Sequence, residues 1–330
     1  MKKFSVAAVA ASLALALAAC SSGAPAAPAS TAGGSAAAAP AGELKKVTVG
    51  ALPIAPTAVI HLGMEKGIFA DNGLEIQLET GQGGAALLPA VVAGTMQFGT
   101  GNPPSLLQAR DKGLDVQVVA SYTYDPAVGS HAILVKEDGP IASPKDLAGK
   151  TVAINTLRSM GDLLTMEAVE KDGGDPSAVK FVELPFPNMQ AALEAGQVDA
   201  VWTPEPFMSI IDQGGAKILT HVGKDTITGH PTMMYFTSGN LIKSDPELVA
   251  TMKKAINEAM DYAQANPDEV RQAAVDKLNV NPELAKTMIL EDFGGPVRTD
   301  EVKAMGDLMT KFKFVDNPAD VDGLLAGANG

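Results

Sequence analysis

The sequence predicts an α/β protein of two lobes joined by two crossings, and three observations carry that reading. Residues 180–207, KFVELPFPNMQAALEAGQVDAVWTPEPF, alternate strand and helix patterns within one short segment, which marks a βαβ unit with parallel strands. LKKVTVGAL, LEIQLE and MQFG each end in a loop followed by a helical pattern, which builds a separate parallel sheet near the start. Between them a long strand at 116–124 meets a turn at 125–130 and a fresh strand at 131–135, as expected where a chain passes from one lobe to another.

The chain has 330 residues, 46% hydrophobic and 19% charged, enough for two cores of ordinary domain size. Lys2 and Lys3 precede an apolar run over 4–19, short for a bilayer span and shaped like a secretory signal. The run ends in Leu17-Ala18-Ala19-Cys20, which resembles the lipobox cut ahead of a diacylated cysteine. Cys20 is the only cysteine, so the folded part has no material for a disulfide, a thiolate metal cluster or a cysteine nucleophile. Loss of Lys2 and Lys3 with the signal takes the formal charge from −13 to −15. So acidic a body argues against nucleic acid and against docking on anionic lipid, leaving acyl chains as the membrane attachment. Residues 21–42 carry no charge and no large side chain, which suits a tether, and folded structure is expected from Leu44.

In chain order, Val47, Val49 and Ala51 alternate as a strand, 53–57 is a loop, and a helix over 59–69 closes at Gly67. Leu74, Ile76 and Leu78 form the next strand, and Gly81-Gln82-Gly83-Gly84 opens a helix over 85–92. A strand at 96–99, a loop at 100–104 and a helix at 105–112 complete the first run. The second lobe holds 143–154, a helix over 159–171 and the 180–207 segment. There Met189, Ala192 and Leu193 share a helix face, Gly196 ends the helix, and 198–202 is a buried strand. Thr203 and Pro204 fit the N-cap and first position of the next helix. Residues 232–236 are the expected return. After Ser244 the pattern is helical, with Asp245-Pro246-Glu247 and Asn266-Pro267-Asp268 as helix starts. The expected division is a signal over 1–19, lipidated cysteine and tether over 20–43, lobe 1 from 44–123 with 237–330, and lobe 2 over 124–236. The crossings fall near 122–130 and 232–239, the build of a hinged clamp.

LPFPNMQAALEAGQVDAVWTPEPF resembles the second-lobe signature of solute-binding proteins in the nitrate, sulfonate, taurine and thiamine-pyrimidine-precursor group, which serve ABC importers. HLGMEKGIFADNGLEIQLETGQGGAALLPAVVAGTMQFG and VAINTLRSMGDLLTMEAVEKDGGDPSAVKF follow that group's order, so the resemblance spans nearly everything after residue 44. It implies a two-lobed, type II periplasmic-binding-protein-like fold and an extracytoplasmic, lipid-anchored monomer with no cofactor and no catalysis. Such a protein captures a small organic solute, sulfonate-like, taurine-like or heterocyclic, and delivers it to a permease and ATPase. Two alternatives stay open: a sensor that reports the bound state to a membrane receptor, and a pyrimidine-precursor enzyme of the same build. The thiamine-pathway synthases of that build carry a cysteine-rich motif absent from this sequence.

Ligands of open α/β sheets collect where strands end and helices begin, which selects the candidate residues. From lobe 1 these are Pro53, Thr57, Gln82, Gly83, Gly84 and Asn102; from lobe 2, Thr156, Arg158, Phe186, Asn188, Trp202 and Glu205; and from the first crossing Tyr122 and Tyr124. The 81–84 glycines either turn backbone N–H groups to a ligand oxygen or make a plain turn. Arg158 offers a planar fork to a carboxylate or sulfonate, or else sits solvated on the surface. Ser159 with Asp162 fits a capping box. Prolines at 204 and 206 remove donors, so Glu205 either faces the helix dipole or accepts from a ligand N–H. The two tyrosines stack on ligand or brace the hinge, and Trp202 borders the cleft or lies in the core. The four histidines show no metal-ligand spacing.

Overall fold

The computed structural model describes residues 43–329, so the signal, Cys20 and almost all of the tether lie outside the described residues. Eleven strands are described: β1 (Lys45–Ala51), β2 (Leu74–Thr80), β3 (Phe98–Gly101), β4 (Val116–Tyr124), β5 (His131–Lys136), β6 (Thr151–Ile154), β7 (Lys180–Glu183), β8 (Ala200–Pro204), β9 (Ala216–Thr220), β10 (Pro231–Ser238) and β11 (Asp292–Phe293). They form two sheets, ordered β11-β4-β10-β3-β1-β2 and β7-β6-β8-β5-β9. The first sheet is the floor of lobe 1 and the second that of lobe 2.

In lobe 1, β1 lies between β2 and β3 and is parallel to both, as three successive strand-loop-helix units require. Val47, Val49, Phe98 and Val118 are fully buried because helices cover both faces. In lobe 2, β7 and β8 are both parallel to β6, which stands between them. β7 therefore ends up at the sheet edge and is mostly exposed, although its sequence reads as an apolar strand.

Two sequence expectations change here. Residues 232–236 are not the tail of lobe 2, because β10 is a central strand of lobe 1, antiparallel to β3 and β4. The second crossing is thus 221–230, and its carbonyl at His230 accepts from the N–H of Asp125 at 2.9 Å, which ties the two crossings side by side. Thr203 does not cap a helix, since β8 runs on to Pro204 and the following helix is Phe207–Gln213 with Pro206 at its N-cap position. Pairing of Thr203 with Ala132 and of Pro204 with His131 holds this stretch extended. Of the C-terminal helices, Pro246–Ala265 and Val321–Asn329 pack against β4 of the first sheet. Helix Pro246–Ala265 buries Leu248, Val249, Met252, Ile256, Ala259 and Met260, with Asp245 accepting from the Leu248 N–H as its N-cap.

Candidate ligand cleft

The strand ends of the two sheets meet. Helix Pro103–Asp111 begins at Asn102, whose side-chain oxygen accepts from the Ser105 N–H at 2.9 Å. From that position the Asn102 amide donates to Ser159 Oγ at 3.1 Å, and Ser105 Oγ lies 2.8 Å from the same hydroxyl. Ser159 stands at the N-cap of helix Met160–Lys171, where its own N–H donates to Asp162 at 2.8 Å, the reciprocal half of the expected capping box. Burial pushes the Asp162 carboxyl up to about 6, although several backbone N–H groups point at it.

Beside this contact the Asn155 amide donates to the Gln82 carbonyl at 3.1 Å. Gly83 is extended, and a Cβ there would come within 2.3 Å of Thr156 Oγ1, so only glycine lets the two loops approach so closely. The Ala55 N–H donates to the Glu205 carbonyl at 3.1 Å, and the Ile289 N–H donates to the Glu205 carboxylate at 3.0 Å. At the rim the Arg158 guanidinium donates to the Lys313 and Phe314 carbonyls at 2.9 and 2.7 Å, and Lys311 pairs with Glu167 and Glu170. The lobes are therefore held closed from several sides.

Within the contact, Trp202 is 3% exposed. His131 stacks on its indole at 5.4 Å and Phe186 tilts against it at 6.2 Å, with Phe207 stacked behind Phe186 at 5.5 Å. A Cβ on Gly161 would stand 2.8 Å from the indole, so the first turn of helix Met160–Lys171 rests directly on the ring. The indole N–H has no hydrogen-bond partner, nor has Oγ1 of Thr203, the next residue of β8, whose side chain leaves the opposite face of the sheet. On lobe 1, Thr100 Oγ1 and the Tyr235 hydroxyl are likewise buried without a hydrogen bond of normal geometry, and the two residues are register partners on β3 and β10.

The candidate residues thus separate by what they touch. Asn102, Gln82, Gly83, Thr156 and Glu205 meet at the interlobe contact, and Phe186 and Trp202 pack together with His131 in lobe 2. Gly84 opens helix Gly84–Val92. Thr57 is buried, with its hydroxyl donating to the Leu52 carbonyl, and Pro53 is half-buried in the same loop. The Tyr122 hydroxyl donates to the Pro56 carbonyl at 2.6 Å, and its ring lies 4.6 Å from that of Tyr235. Tyr124 is occupied as a brace: its hydroxyl donates to Pro296 at 2.7 Å and Arg298 lies 4.1 Å over its ring. Asn188 is exposed, two residues after Phe186 on the same helix. Arg158 is exposed too, with a left-handed backbone (φ 56°).

Of the residues with an unpaired buried polar atom that the sequence reading does not select, Asp125, His221 and His230 lie at the crossings, and Thr100, Thr203 and Tyr235 lie in the sheets. Thr203 looks like a cap, Thr100 sits in a loop by pattern, and Tyr235 falls in a strand assigned to the other lobe. The signal that finds Thr100 and Thr203 is their place at a strand end just ahead of prolines. No group of three or more His, Cys, Asp or Glu suited to a metal occurs among the described residues, and no described helix is long and apolar enough to cross a membrane.

Glu205 is a firm structural element of this contact. Besides Ile289 it accepts from Ser209 Oγ at 2.8 Å and Ser209 N at 3.2 Å, while burial raises its carboxyl above the ordinary range. Glu205→Ala leaves these donors unpaired and is expected to destabilise the chain by about 2 kcal/mol in urea unfolding. An unchanged midpoint would make the carboxylate dispensable.

The arrangement has solved counterparts. The alkanesulfonate-binding protein SsuA from Xanthomonas axonopodis pv. citri bound to MOPS superposes with a TM-score of 0.72 at 20% identity, covering 88% of this chain and 99% of that one. The taurine-binding periplasmic protein of Escherichia coli (strain K12) is 25% identical over 201 residues, 60% of each chain. The formylaminopyrimidine-binding protein of Halalkalibacterium halodurans is 23% identical over 226 residues, 66% of this chain and 65% of that one. The family described as NMT1/THI5 like matches residues 56–270, across both sheets and the cleft between them, and the chain belongs to that family.

Proposed function

We propose that this chain is an extracytoplasmic solute-binding protein of an ABC importer, anchored by lipid on Cys20, whose lobes close on a flat organic solute rich in hydrogen-bonding groups. One observation carries the choice of solute. The Trp202 indole N–H, in the aromatic cluster with Phe186 and His131, is buried without a hydrogen-bond partner, and no lysine or arginine is buried among the described residues. A buried polar group left unpaired costs about 1–3 kcal/mol, so the indole N–H calls for an occupant that offers it an acceptor. Phe186 and Trp202 supply the flat surfaces such a molecule stacks on. A sulfonate or nitrate would draw on backbone N–H groups or a cation, and the Arg158 guanidinium is engaged with main-chain carbonyls.

The formylaminopyrimidine-binding relative supports the heterocyclic end of the range, and the binding-protein relatives support capture over catalysis. A thermal-shift and calorimetry panel of pyrimidines and related heterocycles, sulfonates, taurine and nitrate tests the reading. Saturable binding confined to heterocycles is expected, and tight binding of a sulfonate with no heterocycle bound would overturn the solute class. Arg158→Ala separates its two roles in the same assay. As a rim tie it weakens every bound solute alike, by about 1 kcal/mol, whereas a loss restricted to anions would return it to the ligand. Cys20→Ala should move the protein from the membrane fraction to the soluble one, and retention at the membrane would reject the lipid anchor.

A further inference from the structure

Where the two crossings run side by side, buried ionisable groups gather behind the Trp202 ring. Asp125, in the first crossing, accepts from the Ser130 N–H and hydroxyl, both at 2.7 Å, and its Oδ1 lies 3.5 Å from His131 Nδ1. His131 opens β5 in lobe 2. Its Nε2 faces Glu291 of lobe 1 at 3.8 Å, and Glu291 accepts from Thr232 Oγ1 at 2.5 Å. One imidazole therefore touches the crossing, lobe 2 and lobe 1 together. Asp125, His131 and Glu291 are all buried.

We propose that His131 is a proton-operated tie at the hinge: charged, it binds Asp125 and Glu291 and favours the closed lobes; neutral, it releases them and favours opening.

The remaining groups around it fit this reading. Glu205 approaches from the end of β8, His230 from the second crossing with its ring 6.4 Å away, and Arg298 and His221 act on His230 and Asp125 from further out. Burial opposes charge on His131, but the Asp125, Glu291 and Glu205 carboxylates outweigh it and hold the imidazole above its ordinary value. His230 goes the other way, pushed down to about 4 by burial, so it stays neutral and His131 carries the charge. Burial also opposes charge on Asp125, yet the neighbouring imidazoles and Ser130 bring it to about 2. A raised histidine contributes stability that is complete below its ordinary pKa and is lost as pH rises through the elevated one. Above that point Asp125 and Glu291 lie buried on either side of a neutral imidazole, and water entering an opened hinge is the available relief.

The stacked indole reports the proton, because an imidazolium quenches tryptophan emission more than neutral imidazole does. The chain has one tryptophan. In the solute-free mature protein, emission should rise once as pH increases, with its midpoint above the ordinary histidine value, and the radius of gyration should grow across the same transition. His131→Gln should abolish the rise, His230→Gln should retain it, and the near-isosteric Glu291→Gln should lower the midpoint by about one pH unit. Flat wild-type emission, a midpoint unmoved by Glu291→Gln, or a radius unchanged through the transition would overturn the tie. Should His131→Gln fail to fold, Glu291→Gln still decides. No solute enters the measurement, so its failure leaves the proposed function standing, and failure of that function leaves the tie standing.

Discussion

Asp125→Ala is expected to destabilise the folded chain by about 3–5 kcal/mol, because it leaves the buried positive charge of His131 without its nearer partner. It also strands the N–H and hydroxyl of Ser130, both of which donate to Asp125. Asp125→Asn keeps an oxygen for Ser130 and loses only the charge, so a smaller loss of about 1–3 kcal/mol is expected. Urea unfolding of the two variants against the native chain measures both. The pH dependence has a definite sign. A carboxyl held down at about 2 contributes stability that is complete above the ordinary aspartate range and is lost as pH falls towards that value. Native protein should therefore lose acid stability that Asp125→Asn never had. Losses below about 1 kcal/mol in both variants would mean that the crossing does not depend on this pair.

Trp202→Ala is expected to cost about 3–5 kcal/mol of stability and to abolish solute binding. The ring is buried against His131, Phe186 and Gly161, none of which can advance to fill its volume. Trp202→Phe separates stability from binding. It keeps much of the stacking surface, so the fold should lose about 1–2 kcal/mol, but it removes the indole N–H that has no protein partner. Affinity for a solute found by the panel should then fall by about tenfold or more, the worth of one well-formed hydrogen bond to a buried donor. Full affinity in Trp202→Phe would place the donor elsewhere. In the native chain the same indole should change emission saturably as solute is added, and binding by calorimetry without such a change would put Trp202 in the core alone.

Much of the fold is written locally. Alternation in Val47, Val49 and Ala51, the spacing of Met189, Ala192 and Leu193, and prolines at 246 and 267 each fix an element through contacts a few residues away. The misassignments arise where partners are distant. β10 is a run of buried apolar and aromatic residues that fits either sheet, and its place between β3 and β4 depends on pairing across more than 100 residues of chain. Thr203 followed by Pro204 has the pattern of a helix start, and only pairing with β5 keeps it extended. The site divides in the same way. Strand ends select Asn102 and Glu205, which the structure brings into interlobe hydrogen bonds, because topology sets where strands end. Periodicity could not tell that Arg158 spends its guanidinium on Lys313 and Phe314, nor that His131, Asp125 and Glu291 converge, because those contacts join segments of different lobes.

Small-angle scattering of the mature chain, with and without a solute that calorimetry shows to bind, tests the clamp most directly. The interlobe contacts of Asn102, Ser105 and Ser159, and of Gln82 with Asn155, belong to a closed state that a bound solute stabilises by contacts only closure completes. The account predicts a smaller radius of gyration on binding, saturating at the calorimetric stoichiometry. Identical scattering curves with and without bound solute would contradict it.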